Sequence, residues 1–178
     1  MFRFGFNNRE PSWFYFSTDR CHAWKGPFSL PGFGQCGIST RTDYQIIDSN
    51  SLLIFASSAK SKGGEGRPFV ARADDGALTW KFVSWIGPEP EGYAIMPSTV
   101  RLSPSKLVTA LRRKEKGAAW IETYRSNDNG RTWDYDGRAI PSTGVGSNPA
   151  AMIRLTDGRL CLTYGYRGTP YGIRAVEQ

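Results

Sequence analysis

The side chains that could perform chemistry in this sequence are mainly carboxylates, tyrosines and arginines. His22 is the only histidine, so a Ser-His-Asp triad or a histidine metal cage would have to be built around it. Cys21, Cys36 and Cys161 are an odd number without Cys-x-x-Cys spacing, which favours neither a disulfide framework nor a zinc site. We therefore expect no metal and no cofactor.

Asp43 is the leading candidate for a general acid/base. Arg41 and Asp43 are two residues apart in an extended segment, so their side chains would share one face. An adjacent cation lowers the pKa of a carboxyl group, whereas a general acid needs a raised pKa, so desolvation or an anionic ligand would have to oppose the arginine. The alternative is an ion pair that closes the start of the strand.

Glu65 is a second candidate carboxylate. It is the only acidic residue of the glycine-rich loop 63–67, where it could either face a pocket or be a solvated loop charge.

The chain has an excess of basic residues. The net charge is +7, from 23 Lys and Arg against 16 Asp and Glu. The longest basic run is 112–114, a spread that favours a small anionic ligand over nucleic acid. Arginine suits such a ligand because its guanidinium binds a carboxylate through a fixed fork of donors.

Two interleaved repeats with a period of about 53 residues organise the chain. The pattern Ser-x-Asp-x-Gly-x-Thr-Trp is complete in residues 126–133 and partly kept in 17–24 and 73–80, at spacings of 56 and 53 residues. A second unit, made of an apolar strand, a polar turn and another apolar strand, begins at residues 46, 100 and 153. This arrangement is typical of β-hairpins.

Each repeat has room for a four-stranded antiparallel meander. We expect inner strands near 42–48, 97–103 and 149–156, and second strands near 52–59, 107–113 and 160–166. Third strands are expected near 68–73 and 119–125, and fourth strands near 79–85 and 132–140. Four-stranded units at this period are typical of β-propeller blades, so the sequence predicts an all-β fold.

The eight-residue box has a structural explanation. Its Asp can accept hydrogen bonds from the turn, its Gly can take a left-handed conformation, and its Trp can fill the space between sheets. Cys21 and Ala77 replace the Gly in two copies, so those turns either shift register or hold a side chain at positive φ. The box residues expected to be structural are Ser17, Asp19, Trp24, Asp75, Thr79, Trp80, Ser126, Asp128, Gly130, Thr132 and Trp133.

Because successive strands of a meander run in opposite directions, the boxes should lie on one face of the disc that the propeller blades form, and a set of cationic loops on the other face. The box turn joins strands three and four, so it shares a face with the first hairpin turn. The opposite face is expected to receive Arg41, Asp43, Lys60, Glu65, Arg67, Arg112, Arg113, Lys114, Arg167, Tyr171 and Arg174.

In this blade context the chain resembles the sialidase (neuraminidase) superfamily of six-bladed propellers, most closely the bacterial sialidase-like glycoside hydrolases. Besides the boxes, the resemblance includes segments 41–44, 65–67, 96–98 and 148–167. It implies an exo-α-sialidase-like enzyme that releases terminal sialic or related acidic sugars. The alternatives are a noncatalytic propeller that binds acidic glycans or proteins and, third, a nucleic-acid binder.

The resemblance also implies roles for particular residues. Sialidases hold the sugar carboxylate with three arginines. The candidates for two of them are Arg167 and either Arg112 or its neighbour Arg113. Arg41 or Arg67 is the candidate for the third. Their nucleophile is a tyrosine that a glutamate deprotonates. Glu65 is the candidate glutamate, and Tyr171 the candidate pocket-lining tyrosine. The candidates for the nucleophile itself are Tyr44, Tyr164, Tyr166 and Tyr171.

The length of 178 residues predicts only part of a ring. A closed six-bladed ring needs about 320 residues at this period. We expect an incomplete blade over about 1–31, blades over about 38–88 and 95–140, and an incomplete blade over about 147–178. Such a fragment would be inactive alone and would associate with the missing blades or with itself. No membrane span or signal peptide is predicted.

Overall fold

The computed structural model describes residues 2–3, 11–35 and 37–177, with side chains omitted at 2, 3 and 40–42. Every regular element in these segments is a β-strand, and the strands form four antiparallel sheets. None of the described segments forms a helix capable of crossing a membrane.

The four sheets follow one another along the chain and are named blades 1 to 4. Blade 1 contains β1 (Phe2–Arg3), β2 (Ser12–Phe16) and β3 (Lys25–Leu30). Blade 2 contains β4 (Ile38–Ile46), β5 (Leu52–Ala59), β6 (Glu65–Ala73) and β7 (Lys81–Trp85). Blade 3 contains β8 (Tyr93–Arg101), β9 (Leu107–Glu115), β10 (Ala118–Ser126) and β11 (Asp134–Ile140). Blade 4 contains β12 (Ala150–Arg154), β13 (Leu160–Tyr166) and β14 (Gly172–Glu177).

The predicted all-β meander is confirmed, and the main difference is where the inner strands begin. In blades 2 and 3 they start four residues before the predicted positions, at Ile38 and Tyr93. Both strands contain a β-bulge, between Ser39 and Asp43 in β4 and between Ile95 and Ser98 in β8. A bulge interrupts the alternation of buried and exposed residues, so the pattern hides the part of the strand that precedes it.

The hydrophobic core consists of three layers, one between each pair of neighbouring blades. Phe14 and Leu30 of blade 1 pack against Ile54 and Phe69 of blade 2. Blades 2 and 3 share the cluster of Leu53, Phe55, Val70, Ile86, Ala94, Leu107, Leu111 and Tyr124. Blades 3 and 4 share the cluster of Val100, Val108, Ala110, Ile121, Ile140, Met152, Leu160, Leu162 and Tyr164. Each sheet therefore buries its apolar faces against its neighbours.

The box turns and the first hairpin turns lie on the same face, as strand alternation predicts. In blade 2 the Gly76 N–H donates to the carbonyl of Asn50 at 2.8 Å. In blade 3 the Asn129 N–H donates to the carbonyl of Ser105, also at 2.8 Å. The opposite face therefore carries the loops that enter each blade and those that join second to third strands.

The three boxes share one backbone conformation despite their different sequences. Two successive residues have positive φ in each copy, Arg20 and Cys21 (56° and 70°), Gly76 and Ala77 (71° and 68°), and Asn129 and Gly130 (60° and 85°). Of the two alternatives for Cys21 and Ala77, the structure shows side chains held in the left-handed region without a change of register.

The box aspartates organise these turns through hydrogen bonds. Asp128 accepts from the backbone N–H and hydroxyl of Thr132 at 2.9 and 2.6 Å, and from Ser126 Oγ at 2.8 Å. Asp75 accepts equivalent bonds from Thr79, and Asp19 accepts from the Ala23 N–H.

The box tryptophans differ in what covers them. Trp133 packs against the core shared by blades 2 and 3 and donates to Ser84 Oγ at 3.2 Å. Trp80 packs edge-on to Phe14, between blades 1 and 2. Trp24 of blade 1 is 44% exposed.

Candidate functional site

A cavity of about 380 Å³ opens where the inner strands of blades 2, 3 and 4 meet. Two hydrogen bonds tie these strands together: Gln45 Nε2 donates to the carbonyl of Thr99 at 2.8 Å, and the Met152 N–H donates to Ser98 Oγ at 2.9 Å. The residues that line the cavity are Asp43, Met96, Pro97, Ser98, Pro149, Ala150 and Ala151. Its walls are largely apolar, and Asp43 is the single ionisable group among the lining residues.

The bulge in β8 shapes one wall of this cavity. Ile95 pairs with Arg112 and Ser98 with Ala110, so Met96 and Pro97 together oppose one residue of β9. Met96 has a φ of 53°, which is uncommon for a side chain of this size. Bulges and left-handed non-glycine residues re-aim side chains and often occur at functional sites. Here both residues of the bulge, Met96 and Pro97, line the cavity.

Asp43 combines burial with an unsatisfied oxygen. Its Oδ2 atom is buried and has no hydrogen-bond partner in the described part of the chain. Burial raises the pKa of Asp43 to about 7, although hydrogen bonds from the Thr99 side chain and backbone and from the Tyr44 backbone act in the opposite direction. A carboxyl group with this pKa can hold a proton near neutrality and release it during a reaction.

Arg112 lies beside this cavity and is held by the protein. Its Nε donates to Ser147 Oγ at 3.0 Å, and Nη1 contacts Met96 Sδ at 3.3 Å. Nη2 donates to Tyr93 OH at 3.2 Å and to the carbonyl of Gly146 at 3.1 Å. These contacts use four of the five guanidinium N–H groups, so the arginine does not present a vacant fork to a carboxylate.

Arg113, the other arginine of the pair, belongs to an ion-pair network within blade 3. Its Nε lies 3.4 Å from the buried Glu122, and Nη2 lies 3.6 Å from Glu115. Its guanidinium lies over the ring of Trp120 at 5.2 Å. Neighbouring residues of a strand point to opposite faces, so Arg112 and Arg113 cannot serve the same site.

Arg167 approaches the Arg112 site from blade 4. Its exposed guanidinium borders Gly146, where a Cβ would lie 3.4 Å from Arg167 Nη1. The backbones are joined too, because the Arg167 N–H donates to the carbonyl of Thr143 at 2.9 Å. The loop 143–148 thus brings two of the predicted binding residues to one place.

The remaining predicted site residues lie away from the cavity. Arg67 stacks over Trp85 at 4.0 Å and forms an ion pair with Glu89 at 3.5 Å. Glu65 is exposed at the start of β6, and Tyr171 is 77% exposed. The side chain of Arg41 lies outside the described residues.

The candidate tyrosines do not line the cavity. Tyr44 is half exposed on β4, and Tyr164 is buried in the core between blades 3 and 4. Arg174 lies 3.5 Å above the ring of Tyr166. The polar residues that sequence reasoning missed are Tyr93 and Ser147, which hold Arg112, and Thr99, which contacts Asp43. Of these three residues only Thr99 could have been singled out, because the register of the hairpin places it opposite Thr109.

No group of three or more His, Cys, Asp or Glu side chains in the described segments is arranged to hold a metal ion. In the same segments Cys21 and Cys161 are free thiols.

No protein-family model and no curated protein matches the sequence. Among solved structures, the chain is similar to a protein of unknown function from Dyadobacter fermentans DSM 18053, with 23% identity and a TM-score of 0.77 over 93% of this chain and 47% of that one. It is also similar to an α-L-arabinanase of Penicillium chrysogenum complexed with arabinobiose, with 16% identity and a TM-score of 0.61 over 94% of this chain and 54% of that one. A Hadza microbial sialidase aligns with 14% identity and a TM-score of 0.55 over 87% of this chain and 31% of that one.

The chain spans between about a third and a half of the length of these proteins. At such low identities the shared feature is the fold. The chain consists of blades of a β-propeller of the kind found in glycoside hydrolases.

Proposed function

We propose that this chain supplies the acid/base part of a propeller glycoside hydrolase, with Asp43 as the proton donor. The observation that carries the proposal is the Asp43 carboxyl, buried at the edge of a cavity among three inner strands with Oδ2 unpartnered. Its pKa of about 7 allows the same group to act as an acid and then as a base.

In the proposed reaction, protonated Asp43 donates its proton to the glycosidic oxygen as the bond from that oxygen to the anomeric carbon breaks. The resulting carboxylate then accepts a proton from the water that attacks the anomeric carbon. Met96, Pro97 and Pro149 line the cavity and keep bulk water from the carboxyl. None of the tyrosines in the described segments lines this cavity, so none of them occupies the position of the nucleophile that the sialidase resemblance implies.

An acidic sugar such as a terminal sialic acid is the substrate class we propose first. Arg112 and Arg167 both border Gly146, on the face opposite the boxes, and the chain carries a net charge of +7. Arg167 is exposed and could bind a carboxylate directly. Arg112 would have to release Tyr93 or Gly146 before it could offer two parallel donors.

A neutral glycan such as an arabinan is the second candidate, and the occupied donors of Arg112 favour it. If that guanidinium stays bound to Ser147, Tyr93 and Gly146, its role is to shape the cavity rather than to bind substrate charge. The fold similarity to an arabinanase is compatible with this choice.

The test measures hydrolysis of fluorogenic sialosides and arabinosides by the polypeptide in which this chain occurs. Asp43→Asn is expected to lower kcat by about 10²- to 10⁴-fold, because the proton donor is lost. The loss should be smaller for a substrate whose leaving group departs without protonation. With the unaltered protein, activity should decline above about pH 7, as Asp43 loses its proton.

The matched control is Asp74→Asn, which changes a carboxylate that pairs with Arg72 on the box face and should leave kcat unchanged. Absence of turnover on both substrate classes, together with glycan binding that Asp43→Asn does not alter, would instead establish the noncatalytic glycan-binding alternative. Turnover that survives Asp43→Asn would rule out the proposed role of this residue.

A further inference from the structure

The guanidinium of Arg112 is held firmly along one side. Nε donates to Ser147 Oγ at 3.0 Å, and Nη2 donates to the carbonyl of Gly146 at 3.1 Å. Ser147 is fully buried, and its own hydroxyl donates to the carbonyl of Arg113 at 3.0 Å. This side of the guanidinium is therefore fixed, because a buried hydroxyl that lost these partners would have no water to replace them.

The end of the same guanidinium meets two weaker acceptors. Nη1 contacts Met96 Sδ at 3.3 Å, and Nη2 also donates to Tyr93 OH at 3.2 Å. A thioether sulfur is a weak acceptor, and a neutral phenol binds a guanidinium less strongly than a carboxylate does. Met96 and Tyr93 are partly exposed, in contrast to Ser147. We call the side chains of Met96 and Tyr93 the Arg112 cover.

The Arg112 cover lies between the guanidinium and the cavity that Asp43 lines. Met96 is itself a lining residue of this cavity, Arg112 is not, and Met96 Sδ contacts Arg112 Nη1. Tyr93 begins β8, three residues before Met96, and the centre of its ring lies 5.5 Å from Cζ of Arg112. A carboxylate carried by a sugar in the cavity can therefore reach Nη1 and Nη2 together only after both side chains of the cover have moved.

We infer that Tyr93 and Met96 are specificity-determining residues that disfavour acidic sugars relative to neutral ones by covering the terminal fork of Arg112. A carboxylate gains the two charge-assisted hydrogen bonds of this fork only by displacing the contacts that Arg112 already makes with the cover. A neutral sugar leaves the cover in place. Specificity is a difference of affinities, so a cost imposed on one class of ligand is sufficient to set the preference. The inference rests on the proposed function, because it concerns which sugar is bound beside Asp43.

The test uncovers the fork with two conservative substitutions in the polypeptide in which this chain occurs. Tyr93→Phe removes the phenol oxygen and keeps the ring near the cation, and Met96→Leu removes the sulfur and nearly keeps the volume. NMR titration measures the binding of methyl α-sialoside, which carries a carboxylate, and of its uncharged methyl ester. Each variant should bind the acid about three- to tenfold more tightly and the ester as the parent does, because one competing hydrogen bond is lost.

The kinetics of an active enzyme should follow the binding. KM for the fluorogenic sialoside should fall by the same factor in Tyr93→Phe, with kcat nearly unchanged, because the gained contact is made equally in the bound substrate and in the transition state. The kinetic constants for the arabinoside should not change.

Two further variants show whether the effect passes through Arg112. Tyr135→Phe makes the same change at an exposed tyrosine of β11 and should alter neither affinity. Arg112→Lys, added to Tyr93→Phe, should abolish the gain, because an ammonium group has no planar fork for a carboxylate.

Three outcomes overturn the inference: an acid-to-ester preference that Tyr93→Phe and Met96→Leu leave unchanged, a gain that survives Arg112→Lys, and variants that do not bind the acid at all. Met96→Leu gives the same comparison if Tyr93→Phe does not fold. Inactivity of the parent polypeptide, or an Asp43→Asn variant with full activity, overturns only the proposed function, since the comparison of acid with ester measures binding alone.

Discussion

At the scale of single residues, burial controls the chemistry of Asp43. The sequence posed a conflict between an adjacent arginine, which would lower the pKa, and a general acid, which needs it raised. In the structure desolvation exceeds the hydrogen bonds that favour the carboxylate, and the pKa reaches about 7. The residues that share the cavity with Asp43 belong to blades 3 and 4, so no local pattern around Asp43 could predict this outcome.

The raised pKa of Asp43 predicts a pH-dependent cost to folding. The folded state binds the proton more tightly than the unfolded chain, so the cost is absent below about pH 4, grows as the pH rises to about 7, and is constant above that. Asp43→Asn, which carries no charge, should therefore be more stable than the parent at pH 8, by about 2–4 kcal/mol. Urea denaturation at pH 4 and pH 8 measures the difference, which should nearly vanish at the lower pH. An equal difference at both pH values would contradict the assignment.

Arg113 illustrates how neighbouring residues of one strand acquire unrelated roles. Glu122 is 5% exposed, accepts a hydrogen bond from the Trp120 indole at 3.0 Å, and has Arg113 as its cationic partner. Arg113→Met would leave this carboxylate buried without that cation, so the free energy of unfolding should fall by about 3 kcal/mol.

The double variant Arg113→Met, Glu122→Gln should recover much of that loss in the same denaturation experiment, since it removes both charges. If the single and double variants were equally unstable, loss of packing against Trp120 would explain the effect instead.

At the scale of elements, the box turn imposes a backbone conformation that its sequence only partly suits. Cys21 and Gly130 occupy the same turn position, at φ values of 70° and 85°. A side chain in this region costs about 1 kcal/mol relative to glycine. The exposed Cys21→Gly substitution should therefore raise the thermal stability, by about 0.5–1 kcal/mol at the melting temperature, as scanning calorimetry can measure.

Gly130→Ala is the reciprocal change and should lower stability by a similar amount. The added Cβ there meets its nearest neighbours at 3.6 Å, so the expected loss comes from backbone conformation and not from a clash. If Cys21→Gly destabilised the protein, the left-handed conformation would not be the source of strain at that turn.

Local patterns predicted the strands and the two faces of the disc, but they could not predict which side chains meet. The period of the repeat placed β5, β9 and β13 almost to the residue, because apolar alternation and turn residues are local signals. The contact between Arg112 and Ser147 joins residues 35 positions apart across two blades. It depends on the path of the loop 143–148, which the repeat period does not specify.

At the scale of the whole molecule, blades 2 and 3 carry most of the core. Among the described residues, the largest fully buried side chains all lie between residues 53 and 140. The outward strands β3 and β14 are mostly exposed, and Ile173 on β14 is 86% exposed. Stability should therefore be highest at the centre of the four blades and decrease towards blades 1 and 4.

Hydrogen exchange followed by mass spectrometry tests this distribution. Amides of β5, β6, β9 and β10 should exchange most slowly, and those of β3 and β14 most rapidly, because protection follows burial and contact density. Leu111→Ala removes a fully buried side chain from the cluster that blades 2 and 3 share and should cost about 2–5 kcal/mol. Since β5 and β9 both pack into that cluster, their protection should fall together. Loss of protection in blade 3 alone would show that the two blades unfold independently and that the shared core does not couple them.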